Sequence, residues 1–282
     1  MKNTYSKFFN LSENPFGETP DPDFYFASIQ HGKALASLIA ALKQGKGFSI
    51  LTGEVGTGKT LLSRMLLAAF EQQANTALIL YPKFSEIELL HSICEEFEIP
   101  QLEGNQTAKA YVDHLNRYLL AALENGKQSI LIIDESQALS TEALETIRLL
   151  TNLETKSKKL LQIVLVGQPE LLNTLEREDL RQLKQRIGVH ALLSGLSAIE
   201  IEKYIRSRIE QGGTGNFVRF DIKAVKAIEE LSGGIPRRIN QICERLLNTA
   251  EERKIRLISK EFACEVLGIK EQSFFSKFMK NK

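Results

Sequence analysis

One eight-residue segment constrains the fold of this chain more than any other. Residues 53–60 read Gly-Glu-Val-Gly-Thr-Gly-Lys-Thr, which matches the pattern Gly-x-x-x-x-Gly-Lys-[Ser/Thr] of a phosphate-binding loop. The segment follows an apolar, strand-like run at 48–52 and opens an amphipathic helical pattern at 59–72. Because the motif, the strand and the helix coincide, we predict a P-loop in an α/β domain rather than a glycine-rich turn with a chance lysine.

The same loop predicts how a nucleotide is held. Its glycines let the backbone wrap around phosphate, so that successive N–H groups and the helix N-terminus point at the anion. Lys59 is placed to reach the β- and γ-phosphates, and Thr60 to bind Mg²⁺. The predicted nucleotide-binding residues are Gly53, Glu54, Val55, Gly56, Thr57, Gly58, Lys59, Thr60 and Leu61.

A second apolar strand pattern ends in two acidic residues. The run 129–133 leads directly to Asp134-Glu135. Parallel strands bring ligand-binding residues to their carboxyl ends, so we expect Asp134 to hold Mg²⁺ as a Walker B residue. Glu135 is predicted to orient or deprotonate the attacking water. The alternative for Glu135 is an exposed acid at the start of the following helix.

A glutamine marks the end of another strand pattern, at 161–166. It stands in Gly167-Gln168-Pro169. If this strand lies between those that carry the P-loop and Asp134, Gln168 reaches the same sheet edge and becomes a candidate sensor of the γ-phosphate or the attacking water. The alternative is that Gln168 caps the following helix.

Two arginines precede the last predicted strand, 189–193. In a ring or filament of such domains, an arginine here would project into the neighbouring subunit's nucleotide and stabilise charge on the transferred phosphoryl group. We favour Arg186 for this role in trans, with Arg181 second. A solvated helix face is the alternative for both.

A further arginine stands in the C-terminal part of the chain, in Gly233-Gly234-Ile235-Pro236-Arg237. The proline starts a helix, and its first turn is an unfavourable place for a cation beside the helix dipole. Arg237 is therefore a candidate sensor that closes on the γ-phosphate from a lid domain. A structural salt bridge is the alternative.

The order of the patterns predicts the fold class. Strand patterns alternate with amphipathic helices up to residue 195, which indicates an α/β fold with a five-stranded parallel sheet. Only helical periodicity follows, with Asp221 and Ser259 as N-caps, which indicates a small all-helical lid. We expect an N-terminal arm packed on the core at 1–26, a nucleotide-binding domain at 27–195, a lid at 196–270 and a basic, aromatic tail at 271–282.

Composition excludes several classes of protein. With 36 Lys plus Arg against 35 Asp plus Glu, the net charge of +1 offers no global attraction to nucleic acid or anionic membranes. The three cysteines are far apart, which favours buried thiols in a reducing compartment over a disulfide frame or a structural metal site. No run approaches the ~18 apolar residues of a membrane span, and the first seven residues lack the long apolar segment typical of a signal peptide.

Together these motifs resemble the AAA+ superfamily and, within it, the ExeA/GspA family. The resemblance implies an ATPase that binds ATP with Mg²⁺, and the preference for adenine comes from it alone. The residues that carry it are Asn14-Pro15-Phe16, Pro20-Asp21-Pro22, the P-loop, Asp134-Glu135-Ser136-Gln137, Val166-Gly167-Gln168-Pro169-Glu170-Leu171, the stretch 180–187 and the lid motif that contains Arg237.

The resemblance also implies partners. It predicts a nucleotide-dependent homo-oligomer that works with inner-membrane proteins in assembling an MSHA-like type IV pilus or a secretin-type secretion machine. Full-length members carry a membrane span and a peptidoglycan-binding domain after the ATPase; because this sequence ends before either, we expect protein partners rather than direct peptidoglycan contact. We expect a cytoplasmic protein, peripheral at the inner membrane.

Two other functions remain open from the sequence. One is a nucleotide-gated DNA-binding adaptor related to transposition ATPases, which the near-neutral charge and the lack of a DNA-reading element disfavour. The other is a nucleotide-binding scaffold with negligible turnover, which Glu135 disfavours. A helical tail would place four apolar residues on one face: Phe274, Phe275, Phe278 and Met279. This face is predicted either to dock on a partner or a membrane surface or to fold back on the lid.

Overall fold

The chain divides into two units. The structure, a computed structural model, describes residues 5–17, 19, 21–102, 104, 106–213 and 218–269. By internal contacts, residues 29–55 and 59–193 form one unit, here called the sheet unit. The described parts of 1–28, 56–58 and 194–282 form the other, here called the helical unit. The tail predicted at 271–282 lies outside the described residues.

The sheet unit is built on a parallel sheet of five strands in the order β2-β3-β4-β1-β5, which confirms the predicted α/β architecture. Strands β1 and β4 are buried along their whole length, as expected of central strands covered on both faces. The strands are β1 (Phe48–Gly53), β2 (Ala74–Ile79), β3 (Gln128–Ile133), β4 (Gln162–Gly167) and β5 (Val189–Leu193).

Helices alternate with these strands along the chain. Helix α4 begins with a capping box, in which Ser85 and Glu88 bond reciprocally to each other's backbone N–H. The apolar faces of α4, α5 and α6 pack on Leu131, Ile133 and Leu165 of the sheet. The helices of this unit are α2 (Ile29–Lys43), α3 (Lys59–Ala68), α4 (Glu86–Glu96), α5 (Ala108–Glu124), α6 (Thr141–Leu150), α7 (Glu170–Leu175) and α8 (Arg181–Lys184).

The helical unit contains two short strands as well as helices. Asp221 and Ser259 cap their helices as predicted, each accepting a backbone N–H of the first turn. The pattern predicted only helices here, because the strands are two residues long and leave no periodicity to detect. The elements are α1 (Tyr5–Phe8), α9 (Ala198–Gln211), β6 (Arg219–Phe220), α10 (Ile222–Ser232), α11 (Pro236–Glu252), β7 (Leu257–Ile258) and α12 (Lys260–Leu267), with β6 parallel to β7.

By internal contacts, the described part of the N-terminal arm groups with the helical unit. Its aromatic residues Tyr5, Phe9 and Phe16 are almost fully buried in one cluster with apolar residues of α9, α10 and α11. Sequence composition predicted burial of these rings but carried no information on which apolar face would cover them.

The state of the cysteines and the length of the helices were also subjects of expectations from the sequence. Cys94, Cys243 and Cys264 are buried, and none of them forms a disulfide. Among the residues that the structure describes, no helix is both long enough and apolar enough to cross a membrane.

Candidate functional site

The P-loop connects the end of β1 at Gly53 to the start of α3 at Lys59. Gly56 and Gly58 have φ angles of 83° and 98°, in the left-handed region where a side chain would be strained. The glycines of the motif therefore allow the loop to turn back on itself before the helix begins. A helix N-terminus preceded by such a loop presents backbone N–H groups suited to phosphate.

Lys59 lies within the loop that precedes it. Its side chain is buried, and its Nζ donates to the carbonyl oxygens of Gly53 at 2.7 Å and Glu54 at 3.0 Å. A buried ammonium that donates to these carbonyl oxygens can also pair with an anion bound in the loop.

Asp134 follows β3 and faces Thr60 of the P-loop helix. Its Oδ2 accepts from Thr60 Oγ1 at 2.6 Å, and its Oδ1 accepts from the Glu135 N–H at 2.8 Å. Burial of the carboxylate, which is 2% exposed, raises the pKa of Asp134, and the bond from Thr60 opposes that rise. A carboxylate and a hydroxyl side by side are the hard oxygen donors that Mg²⁺ prefers, so these residues fit the ion.

Glu135 is held by two glutamines. Its Oε2 accepts from Gln137 Nε2 at 2.5 Å and lies 3.5 Å from Gln168 Nε2. Gln137 Oε1 in turn accepts the backbone N–H of Gln168 at 3.0 Å. Glu135 itself has a left-handed backbone, with φ 51° and ψ 34°, which turns the chain at this point. The half-buried carboxylate is thus oriented by the cluster Glu135-Gln137-Gln168.

Strand order explains why Gln168 reaches Glu135. Strand β4 lies between β1 and β3, so the residues that follow all three strands meet at one edge of the sheet. This satisfies the condition under which the sequence made Gln168 a sensor candidate. The side chain of Gln168 does not cap α7, whose N-cap is Pro169 without a side-chain bond.

Arg186 lies at the end of the sheet where the strands begin, opposite the end that carries the P-loop. It precedes β5, and because the strands are parallel it is placed where they begin, away from the P-loop at the end of β1. Its Nη1 donates to Thr151 Oγ1 at 3.2 Å, beyond the end of α6. Arg181 is exposed on α8. Neither arginine is therefore grouped with Lys59 and Asp134 in the same chain.

The remaining predicted residues are placed as follows. Leu61 is half-buried in the first turn of α3. Arg237 is exposed in the first turn of α11. Within the described part of the chain no acidic side chain forms an ion pair with Arg237.

Gln137 is the site residue for which the sequence predicted no role. It stands in the motif Asp134-Glu135-Ser136-Gln137, so its type and position were visible. Its bond to the Gln168 backbone spans 31 positions of sequence and depends on the pairing of β3 with β4. Only the folded arrangement reveals that connection.

Comparison with known proteins finds a matching domain family and a related secretion protein. Residues 42–175 match a family model described as an AAA domain. The chain is 44% identical over 272 residues to general secretion pathway protein A of Aeromonas hydrophila, covering 95% of this chain and 49% of that protein. The chain thus spans about half the length of this curated relative. These matches support the resemblance to the ExeA/GspA family.

Solved structures share the fold at low sequence identity. The Aeropyrum pernix ORC2 protein, solved as ADPNP-ADP complexes, superposes with a TM-score of 0.66 at 18% identity, covering 92% of this chain and 72% of that one. Cdc6p from Pyrobaculum aerophilum gives 0.65 at 18% identity, with 86% and 67% covered. The RuvB branch-migration motor of Thermotoga maritima gives 0.53 at 17% identity, with 86% and 69% covered. The fold is that of the P-loop AAA proteins.

Proposed function

We propose that this AAA-domain protein, a relative of a general secretion pathway protein, binds ATP with Mg²⁺ and hydrolyses it in a site shared between subunits. The observation that carries the proposal is the grouping of Lys59, Thr60 and Asp134 beside the oriented carboxylate of Glu135. A fold neighbour solved with ADPNP and ADP adds support for nucleotide binding.

The geometry at the carboxyl ends of the strands supports the following roles. The loop's N–H groups and Lys59 bind the phosphates, while Thr60 and Asp134 hold the metal. Bound Mg²⁺ supplies neutralisation of charge on the β- and γ-phosphate oxygens. Glu135 accepts a proton from the attacking water, and Gln168 and Gln137 keep its carboxylate aimed at the reaction centre.

Arg186 acts from a neighbouring subunit in this proposal. Arg186 lies at the amino-terminal ends of the strands, opposite the P-loop of its own chain. It can therefore contact a bound nucleotide only in a second copy of the chain. The arginine then stabilises negative charge on the phosphoryl group in the transition state. Arg237, exposed and without a described acidic partner, is proposed to read the γ-phosphate from the lid.

The biological role proposed is assembly of envelope machinery. Similarity to general secretion pathway protein A supports a secretin-type secretion system, and the sequence resemblance extends this to an MSHA-like type IV pilus. Inner-membrane assembly proteins are the proposed partners, and the cytoplasmic face of that membrane is the proposed location. The comparisons do not favour the DNA-binding adaptor.

The experiment that tests the shared site measures ATP turnover as a function of protein concentration. We expect specific activity to rise with concentration, because each site needs an arginine from a second subunit. Arg186→Ala should lower kcat by roughly 10³-fold, the lower end of what such an arginine contributes, while ATP binding persists. Arg181→Ala is the matched control and should leave turnover within a small factor.

The following outcomes would decide against parts of this proposal. Specific activity that stays flat with concentration, together with a normal Arg186→Ala variant, would mean that the site is complete in one chain. Loss of activity in Arg181→Ala alone would move the role to that residue.

Glu135→Gln should lower turnover about 10²- to 10⁴-fold without loss of ATP binding. Unchanged turnover in this variant would remove Glu135 as the base.

A further inference from the structure

A polar cavity of about 610 Å³ opens at the edge of the sheet where the strands begin. It lies entirely in the sheet unit, at the edge opposite the P-loop. Three segments line it: residues 43–45 at the end of α2, residues 126–129 at the start of β3, and the hairpin 154–160 that leads into β4. No function proposed above uses this cavity.

Lysine side chains concentrate around the cavity. Lys43, Lys127, Lys156 and Lys158 all line it and are exposed, and none forms an ion pair with a described acidic residue. Lys159 is different, because it pairs with Glu154 and donates to the carbonyl oxygen of Thr151. In a chain whose net charge is +1, four unpaired ammonium groups around one cavity create a local positive field suited to an anion.

A buried amide supplies the second, independent observation. Gln162, 3% exposed, lines the cavity, and its Nε2 donates to Gln128 Oε1 at 3.1 Å. Its Oε1 is buried and has no hydrogen-bond partner among the described residues. An acceptor left unpaired in this way is unfavourable, so the cavity suits a ligand with a hydroxyl or N–H donor.

Ser129 also lines the cavity with an unpartnered Oγ, but it does not share the face of Gln162. Gln162 is in register with Ile130, and successive strand residues point to opposite faces of a sheet. We therefore assign the ligand contact to Gln162 alone.

We propose that this cavity binds a phosphate ester that carries a free hydroxyl group. The lysines hold the phosphate, and the hydroxyl donates to Gln162 Oε1. This chemistry occurs in the headgroup of phosphatidylglycerol and in soluble polyol phosphates. The proposal is independent of ATP hydrolysis, since none of its residues belongs to the nucleotide site.

The test uses the full chain with ADPNP and Mg²⁺ at saturation, so that the P-loop cannot take up the probe. One arm titrates sn-glycerol 3-phosphate by calorimetry, with methyl phosphate as the probe that lacks the hydroxyl. The other arm measures co-sedimentation with phosphatidylglycerol vesicles against phosphatidylcholine vesicles. Each arm is repeated with Lys156→Gln/Lys158→Gln and with the control Lys223→Gln/Lys226→Gln, which removes the same charge from the exposed face of α10.

We expect binding in at least one arm, which identifies the source of the ligand. Lys156→Gln/Lys158→Gln should weaken it roughly 30-fold, about a factor of five for each lysine, while the control changes it less than about threefold. Methyl phosphate should bind at least about tenfold more weakly than glycerol phosphate, since it leaves Gln162 unpaired. No binding in either arm, or equal losses in the variant and the control, would overturn the proposal. Equal affinity for the two soluble probes would overturn the contact with Gln162.

Discussion

At the scale of single residues, the proposed mechanism depends on the orientation of the Glu135 carboxylate. Glu135 could rotate freely in its left-handed turn, but bonds from Gln137 and Gln168 restrict its Oε2. Orientation of a base within hydrogen-bond reach of water is what general-base catalysis requires. In the proposed mechanism, Gln137 is thus a positioning residue that acts through Glu135.

Replacement of Gln137 tests this positioning. We expect Gln137→Ala to lower kcat about tenfold or more, with little change in ATP affinity, because the residue is proposed to touch the base and not the nucleotide. Turnover and nucleotide binding are measured separately, with Gln182→Ala on exposed α8 as the control. If ATP affinity fell in parallel with kcat, Gln137 would instead support the fold of the loop.

Cysteine reactivity is a second residue-scale prediction. Burial raises the pKa of Cys94 to about 11 and also raises the pKa of Cys243. Both residues therefore remain protonated thiols near neutral pH. The thiolate is the reactive form, so native protein should be alkylated far more slowly than a free thiol between about pH 7 and 9. Mass spectrometry should find all three cysteines modified only after unfolding in guanidinium chloride. Rapid modification of Cys94 in the native state would contradict its burial.

At the scale of elements, a buried guanidinium of α9 binds the arm. Arg208 is 6% exposed and donates to the backbone oxygens of Pro15, Gly17 and Phe24. Its guanidinium also lies 4.5 Å from the centroid of the Phe24 ring. An irregular arm has few internal partners for its carbonyls, so a five-donor side chain from a neighbouring helix satisfies several at once.

Shortening this side chain should release the arm. We expect Arg208→Met to lower the free energy of unfolding by about 2–4 kcal/mol, since carbonyls that were bonded inside the unit lose their donors. Thermal unfolding reports the loss, and hydrogen exchange locates it in residues 11–17. The control is Arg206→Met on the same helix, whose exposed pair with Glu202 should contribute less than about 1 kcal/mol. Equal effects at the two positions would mean that the arm contacts are not decisive.

At the scale of the whole molecule, nucleotide and metal should stabilise the fold together. Mg²⁺ with ADP at 100 times its Kd should add about 2.7 kcal/mol to the free energy of unfolding. EDTA should reduce that increment in the wild type but not in Asp134→Asn, which lacks the proposed metal ligand. Asp113→Asn, an exposed change on α5, serves as the control. The readout is the thermal midpoint; an EDTA effect that persists in Asp134→Asn would separate Asp134 from the metal.

Local signals sufficed for much of this molecule. The P-loop needs only consecutive residues: glycines that accept positive φ, then a lysine and a threonine at a helix start. The N-caps Asp221 and Ser259 and the burial of β1 and β4 likewise follow from neighbouring residues and apolar runs. These features depend on interactions within a few positions, so pattern and residue type predict them.

Other features were decided by tertiary structure, because they join residues far apart in the chain. The arm's rings needed an apolar face, and only folding selected the helical unit. Gln137 acquired its role when β3 paired with β4, and the lysine cavity formed where three separate segments meet at the sheet edge. Sequence alone determined which groups could bind phosphate, metal or apolar surface. Packing decided which of them meet, since long-range contacts follow from strand order and helix docking rather than from any local pattern.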